Sequence, residues 1–315
     1  MKTLAAFFRL VRWPNLLFII LTQLLFFYFV YSPLLSTLPS IKVQILFFIL
    51  ILASVCIAAA GYIINDYFDI QIDAINKPNK VVINKYIKRR WAIIWHWILS
   101  VIGIILSLYV CSKTNAWSIL FFNVICVIAL WFYSTTFKKK LLIGNIIIAA
   151  LTAWVILVVY LFAGANLISL HGFNINNLHF DERRFFKFSV LYAGFAFIAT
   201  LIREVIKDLE DMEGDRKYDC NTMPIAWGVP ATKVFVAVWV IVAIAALSIV
   251  QLYAWQSGWW FAALYLLSLL IFPLFYLLKK LYYAGSSNNY NELSKIIKLI
   301  ILAGILSMIF LKSSV

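Results

Sequence analysis

Residues 65–73 read NDYFDIQID, which sets one amide and three carboxylates directly after an apolar run over residues 41–64. A second acidic stretch, DLEDMEGD at residues 208–215, follows another apolar run later in the chain. The protein has 13 acidic residues, and ten of them lie in the first stretch or between residues 204 and 219. Negative charge gathered in two places predicts that both stretches serve one functional site.

The composition indicates an integral membrane protein. Hydrophobic residues make up 64% of the 315 residues and charged residues 13%, whereas a soluble domain is about half apolar and a quarter charged. The first 15 residues lack a short apolar core followed by a small-residue cleavage site, so we expect no removable signal peptide. The net charge of +14 comes without a nucleic-acid-binding motif, so we expect membrane lipids and no nucleic acid as partners.

Apolar runs of about 20 residues are long enough to cross a bilayer as helices. They predict an all-α, multi-pass membrane protein with nine spans, at residues 14–31, 41–64, 91–111, 116–136, 141–164, 186–207, 231–250, 258–280 and 294–311.

The basic residues also predict an orientation. Counted over the N-terminal segment, the loops and the ends of the spans, 21 of the 27 Lys and Arg residues fall on one side. Since basic residues collect in cytoplasmic loops, we expect the N-terminus and both acidic stretches in the cytoplasm and the C-terminus outside a cell membrane. The acidic stretches follow the second and sixth spans, which suggests one membrane domain over residues 1–315. Within it we expect two related halves, 1–140 and 141–280, and a final helix.

The spacing of the acidic residues predicts metal ligands. Asn65, Asp69 and Asp73 recur every fourth residue and share one face of a helix. The second set, Asp208, Asp211 and Asp215, also shares a face. Two such carboxylate faces would repel each other at one membrane boundary. Mg²⁺ takes oxygen ligands and is often completed by substrate phosphates, so the pattern predicts a Mg²⁺-bound diphosphate. Asp66 lies about 100° off the first face and ranks below its neighbours as a ligand.

Basic residues near the two stretches are candidates for binding phosphate oxygens and a departing diphosphate. These are Lys77, Lys80, Lys138, Arg203 and Lys207. We expect Asp69, Asp211 and Lys207 to act most directly in catalysis. Tyr133, at the end of the fourth span, is a further candidate, although a position in the interfacial aromatic belt explains it more simply. The aromatic residues, 17% of the chain, could line an isoprenoid tunnel and shelter an allylic cation.

These motifs resemble those of the UbiA superfamily of intramembrane prenyltransferases. The resemblance rests on the N-D-x-x-D-x-x-x-D pattern from Asn65, on Asn76-Lys77-Pro78, and on Asp211-x-x-x-Asp215 after Lys207-Asp208. It implies a helical bundle around a central cavity and Mg²⁺-dependent prenyl transfer from a polyprenyl diphosphate. Many members carry Arg at the position of Lys77, and lysine makes a less directional phosphate contact.

One branch of this family is especially similar. The run REVIKDLEDMEGD at residues 203–215, with TMPI at 222–225, resembles digeranylgeranylglyceryl phosphate synthases, and Arg12 and Asn15 fit as substrate-binding residues. The resemblance implies transfer of a geranylgeranyl group to a glyceryl phosphate ether. Two alternatives stay open at this point. In the first alternative, the prenyl acceptor is an aromatic, quinone or chlorin ring. In the second, the protein is a membrane transporter of a cation or a phosphorylated lipid.

Overall fold

The computed structural model describes residues 2–35, 39–78, 81–171 and 180–313. Within these ranges the chain forms fourteen α-helices joined by short turns and by π- and 3-10-helical segments. The helices are α1 Lys2–Leu10, α2 Trp13–Leu25, α3 Ile41–Phe68, α4 Ile70–Asn76, α5 Arg89–Thr114, α6 Trp117–Thr135, α7 Ile143–His171, α8 Glu182–Glu210, α9 Met212–Lys217, α10 Met223–Ala226, α11 Gly228–Gln256, α12 Trp260–Leu266, α13 Phe272–Tyr283 and α14 Ser287–Leu306.

Nine helical stretches in the described ranges are long and apolar enough to cross a membrane. The prediction of an all-α, multi-pass membrane protein with nine spans is therefore confirmed. Several helices continue past the apolar runs that predicted them. Residues 41–64 were predicted as a span and the helix is Ile41–Phe68, while the predicted span 186–207 is Glu182–Glu210. Backbone hydrogen bonding does not stop where side chains become polar, so the first acidic residues lie on the helices themselves.

The chain divides into two compact units. One consists of residues 1–137 and 154–189, and the other of residues 138–153 and 190–315. These units do not coincide with the predicted halves 1–140 and 141–280, because each unit combines residues from both halves. The repeat therefore remains a prediction. Each acidic stretch belongs to a different unit.

In the first unit, α1 and the turn after α4 pack beside the acidic end of α3. Ala6 and Leu10 of α1 form a buried cluster with Ile63 of α3 and with Val82 and Ile83 of the turn. Farther from this end, polar side chains inside the spans pair with one another, as bilayer helices require. The amide Nδ2 of Asn123 donates to Ser107 Oγ at 2.8 Å, and the indole of Trp154 donates to Asn123 Oδ1 at 2.9 Å.

In the second unit, α8 packs in a core with α11, α13 and α14. Buried side chains from these helices include Val205, Val240, Leu277 and Ile297. Gly304 of α14 permits a close approach, because a Cβ atom there would lie 2.3 Å from the ring of Phe195 on α8. This packing holds the last turns of α8, which carry the second acidic stretch.

Candidate active site

The first acidic segment, residues 65–77, crosses a short break between two helices. Helix α3 ends at Phe68, Asp69 has φ −87° and ψ 0°, and α4 begins at Ile70. The helical hydrogen-bond register nevertheless continues through the break. The amide of Asp69 donates to Asn65 O at 3.0 Å, and the amide of Asp73 donates to Asp69 O at 2.8 Å. Asn65, Asp69 and Asp73 thus remain one turn apart, as their spacing predicts.

The second acidic segment, residues 207–219, is built in the same way. Helix α8 ends at Glu210, Asp211 has φ −96° and ψ 6°, and α9 begins at Met212. The amide of Asp211 donates to Lys207 O at 2.8 Å, and the amide of Asp215 donates to Asp211 O at 3.2 Å. Each unit therefore carries an aspartate at a helix break and a second aspartate one turn later.

The side chains of the first segment fit a magnesium ion. Asp69 is buried, and its Oδ2 accepts a 2.7 Å hydrogen bond from Asn65 Nδ2. The oxygen of the same amide, Asn65 Oδ1, is buried and finds no hydrogen-bond partner among the described residues. A buried acceptor of this kind is costly unless a ligand satisfies it. An amide oxygen beside carboxylate oxygens is a donor set that suits Mg²⁺.

The described ranges contain no group of three His, Cys, Asp or Glu side chains arranged to hold a metal by themselves. Magnesium does not need such a group, because it keeps several waters and usually takes one or two carboxylates together with substrate phosphates. The residues of each segment therefore fit a metal that is completed by a phosphorylated ligand, and not a closed protein site.

Asp66 is paired with Arg12, which precedes α2. Arg12 Nη2 lies 2.6 Å from Asp66 Oδ1, and its guanidinium lies 5.4 Å from the centre of the Tyr62 ring. Burial by itself would lower the pKa of Arg12, but the Asp66 carboxylate outweighs burial and raises the pKa above its usual value. This ion pair gives Asp66 a structural partner, and its low rank among the predicted ligands remains a prediction.

Asp208, one position after Lys207, has a neutral partner instead. Its Oδ2 accepts a 2.8 Å hydrogen bond from Asn145 Nδ2, on the first turn of α7. The Asp208 carboxylate also lies within electrostatic reach of Asp215 and Glu204. Asp215 is buried, so the second segment gathers carboxylates in a setting of low polarity where a cation is favoured.

Glu204 organises the two basic residues that precede the second segment. Its Oε1 lies 2.8 Å from Arg203 Nη1, and both of its oxygens lie 3.0 Å from Lys207 Nζ. Arg203 and Lys207 were predicted from sequence to bind phosphate. The structure adds that a shared carboxylate holds both of them in place.

The remaining predicted residues are distributed over both units. Asn15 is half-buried on the first turn of α2, Tyr133 is half-buried near the end of α6, and Lys77 follows α4. These three belong to the unit that contains the first segment, whereas Lys138 belongs to the unit that contains the second. Lys80 lies outside the described residues. The roles proposed for all of these residues remain predictions.

The model of the UbiA prenyltransferase family matches residues 24–296. The chain belongs to the UbiA prenyltransferase family. This membership favours prenyl transfer over the transporter alternative.

Among curated UbiA-family relatives, digeranylgeranylglyceryl phosphate synthase of Methanosphaera stadtmanae is 34% identical over 187 residues, which are 57% of this chain and 58% of that protein. The enzyme of the same name from Methanoregula boonei is 29% identical over 215 residues, 68% of each chain. The matched part of the chain thus spans less than two thirds of the first relative's length.

Solved structures share the UbiA fold over almost the whole chain. A structure of digeranylgeranylglyceryl phosphate synthase in membranes has a TM-score of 0.62 and 25% identity, covering 98% of this chain and 99% of that one. A UbiA homologue from Archaeoglobus fulgidus, bound to DMAPP and Mg²⁺, has a TM-score of 0.57 and 15% identity, covering 96% and 98%.

Sequence reasoning missed two residues of this UbiA-family site. Glu204 could have been found, because an acid inside an apolar span is rare and Lys207 lies three residues later on the same helical face. Asn145 gave a weaker signal, an amide on the first turn of an apolar span. Its partner Asp208 is 63 residues away, which only the packing of α7 against α8 reveals.

Proposed function

We propose that this protein transfers a geranylgeranyl group from its diphosphate to the hydroxyl of a glyceryl phosphate ether, in a reaction that requires Mg²⁺. The observation that carries the proposal is the repeated construction of the two acidic segments. Each places an aspartate at a helix break and another one turn later, at Asp69 and Asp73 and at Asp211 and Asp215. The names of the relatives support the choice of donor and acceptor.

The first segment would hold Mg²⁺ through Asn65 Oδ1 and the carboxylates of Asp69 and Asp73. The second would hold it through Asp211 and Asp215, with Asp208 as a further candidate. When bound, Mg²⁺ would neutralise charge on the donor's diphosphate and so make it a better leaving group. Asn65 also steadies Asp69 through their 2.7 Å hydrogen bond, which orients that carboxylate before any ligand arrives.

Lys207 supplies positive charge beside these carboxylates. Both carboxylate oxygens of Glu204 bind the Lys207 ammonium, so the lysine side chain is already ordered. Binding of the diphosphate therefore costs little side-chain conformational entropy at Lys207. A cation fixed in advance stabilises charge that develops on the diphosphate oxygens as the carbon–oxygen bond breaks. Lys77, Lys80 and Lys138 are proposed to bind the same diphosphate.

In the transfer itself, the bond from the allylic carbon to the diphosphate oxygen breaks and the electron pair leaves with the diphosphate. The acceptor oxygen then forms the new ether bond to that carbon and releases its proton. Apolar and aromatic side chains of the spans exclude water, which would otherwise capture the cation. We propose that the reaction takes place on the cytoplasmic side, because the sequence assigns 21 of the 27 Lys and Arg residues to that side of the membrane.

The test is product formation by the purified protein with one labelled donor, geranylgeranyl diphosphate, and a panel of acceptors. We expect a Mg²⁺-dependent ether product with geranylgeranylglyceryl phosphate and little product with 4-hydroxybenzoate or a naphthoquinol. Efficient prenylation of an aromatic acceptor, with none of the glyceryl ether, would replace this acceptor by the alternative.

A further inference from the structure

The last residue of α8, Glu210, is held by the start of α14 through two hydrogen bonds. Ser287 Oγ donates to the backbone carbonyl of Glu210 at 3.0 Å. Asn291, one turn later in α14, donates from Nδ2 to Glu210 Oε1 at 2.6 Å. The backbone and the side chain of Glu210 are therefore both bound to the same neighbouring helix.

The start of α14 is itself well fixed. Ser286 caps the helix, because its Oγ accepts a 3.4 Å hydrogen bond from the amide of Asn289. Tyr290 and Leu293 are buried in the same hydrophobic cluster as Leu209 of α8. The hydroxyl and the amide that bind the end of α8 thus extend from a capped and packed helix.

The position of Glu210 matters because the next residue is the helix break. Asp211 departs from helical geometry, with φ −96° and ψ 6°, and its amide donates to Lys207 O. The direction of the Asp211 carboxylate therefore depends on where the last turn of α8 ends. Helix ends fray in the absence of further contacts, whereas a metal ligand needs supporting hydrogen bonds that keep it in place.

Helix α14 supports α8 from the side away from Asp208. Glu210 follows Asp208 by two residues, which puts the two side chains about 160° apart around the helix. The Asp208 carboxylate accepts a hydrogen bond from Asn145 of α7 instead. The two acids at the end of α8 therefore face different helices, and the Glu210 carboxylate binds an amide of α14.

We propose that Ser287 and Asn291 are positioning residues that act through Glu210 on Asp211, and so raise the affinity of the second acidic segment for a divalent metal. This role rests on the proposed function, because it takes Asp211 as a metal ligand. It also assigns Glu210, the acid beside Asp211, to holding the helix end and not to binding the metal.

Metal binding tests this positioning directly. The dissociation constant of Mn²⁺, a paramagnetic substitute for Mg²⁺, is measured by EPR for the full chain in detergent with geranylgeranyl thiolodiphosphate, a donor analogue that resists cleavage. We expect Asn291→Ala and Ser287→Ala to weaken Mn²⁺ binding about tenfold, as for loss of a hydrogen bond that orients a metal ligand. Ser287→Thr keeps the hydroxyl and should bind nearly normally. Asn288→Ala, which removes an exposed amide of the same turn, is the matched control.

A second set of variants shows whether the effect passes through Glu210. Glu210→Ala should weaken Mn²⁺ binding as much as Asn291→Ala does, and the double variant should bind no worse than either alone. Ser287→Ala should add to Glu210→Ala, because Ser287 binds the backbone, which the second substitution leaves in place. Circular dichroism checks that every variant is folded at the temperature of the titration.

Unchanged Mn²⁺ affinity in Asn291→Ala or in Ser287→Ala would overturn the positioning role, and so would equal weakening in Asn288→Ala. Additive losses in Glu210→Ala and Asn291→Ala would indicate a general destabilisation and overturn it as well. Tighter binding by Asn291→Ala would make Glu210 a metal ligand, which is the opposite assignment.

This outcome is separable from that of the proposed function. If wild type makes no ether product but binds Mn²⁺ more tightly than Asn291→Ala and Ser287→Ala do, the transfer reaction fails and the positioning role stands. If wild type makes the product and both alanine variants bind Mn²⁺ normally, the positioning role fails and the transfer reaction stands.

Discussion

The two acidic segments share a backbone and differ in their neighbours. In both, a spanning helix breaks at an aspartate and the hydrogen-bond register continues to an aspartate one turn later. The residue one turn before the break is Asn65 in the first segment and Lys207 in the second. The next residue is an aspartate in both segments. Asp66 forms an ion pair with Arg12 in the first segment, whereas Asp208 accepts a hydrogen bond from the neutral Asn145 in the second.

This difference separates two tasks. The first segment presents the unsatisfied amide oxygen of Asn65 together with carboxylates. The nearby Arg12 forms an ion pair with Asp66. In the second segment, Asp208 bonds with the neutral Asn145, and Lys207, which Glu204 holds, lies within electrostatic reach of Asp208. We therefore interpret the first segment as mainly a metal-binding set and the second as a mixed set that binds metal and stabilises the leaving group.

The largest effect is expected at the two helix breaks. Asp69→Asn and Asp211→Asn should each lower kcat/KM for prenyl transfer by about 100-fold or more, since each removes a charge on which transition-state stabilisation depends. Release of labelled diphosphate measures this. Glu213→Gln is the control, because Glu213 is an exposed acid of the second segment paired only loosely with Lys217 at 3.5 Å. Undiminished turnover in Asp69→Asn or Asp211→Asn would show that the two segments do not contribute equally to prenyl transfer.

A contrast in mechanism is expected one turn earlier. Asn65→Leu should raise the Mg²⁺ concentration for half-maximal activity about 10- to 100-fold, because it removes a ligand that also orients Asp69. Lys207→Met should lower kcat about tenfold and leave the Mg²⁺ requirement unchanged. Magnesium titrations of both variants decide this, with Gln71→Leu as an exposed control from the first segment. A shifted Mg²⁺ requirement in Lys207→Met would contradict the division of tasks.

A smaller effect is expected in stability. A double-mutant cycle of Arg12→Ala and Asp66→Ala should give a coupling of about 1 kcal/mol, because the pair is partly exposed. The pKa of Arg12 is raised above its usual value, so this contribution is complete below that value and constant through the neutral range. Thermal unfolding in detergent measures the cycle.

The matching cycle of Asn145→Ala and Asp208→Ala should change when Mg²⁺ and donor are added, whereas the Arg12–Asp66 cycle should not. Equal sensitivity of both cycles to Mg²⁺ would make Asp66 a ligand of the same rank as Asp208.

The smallest effect concerns the support of the second break by α14. Asn291→Ala should lower stability by about 0.5 kcal/mol, since it removes the part-buried 2.6 Å hydrogen bond to Glu210 at the end of α8. Asn288→Ala, an exposed amide one turn earlier, should have no measurable effect on the melting temperature. Equal melting temperatures for the two variants would show that α14 does not stabilise this break.

Much of this molecule was predictable from its residues. A bilayer forces apolar runs of about 20 residues into helices, so the nine spans followed from hydropathy. The turn-by-turn spacing of Asn65, Asp69 and Asp73 also survives, because the hydrogen-bond register runs through the break. The breaks themselves were not predicted, since aspartate is tolerated in a helix as well as at its end.

The sequence by itself determined the class of protein and the candidate residues for binding a metal and a diphosphate, since both depend on composition and local periodicity. The tertiary structure decided which charged side chains have partners within the protein. Arg12 reaches Asp66 across 54 residues and Asn145 reaches Asp208 across 63. Such pairings depend on how helices pack, and no spacing along one helix encodes them.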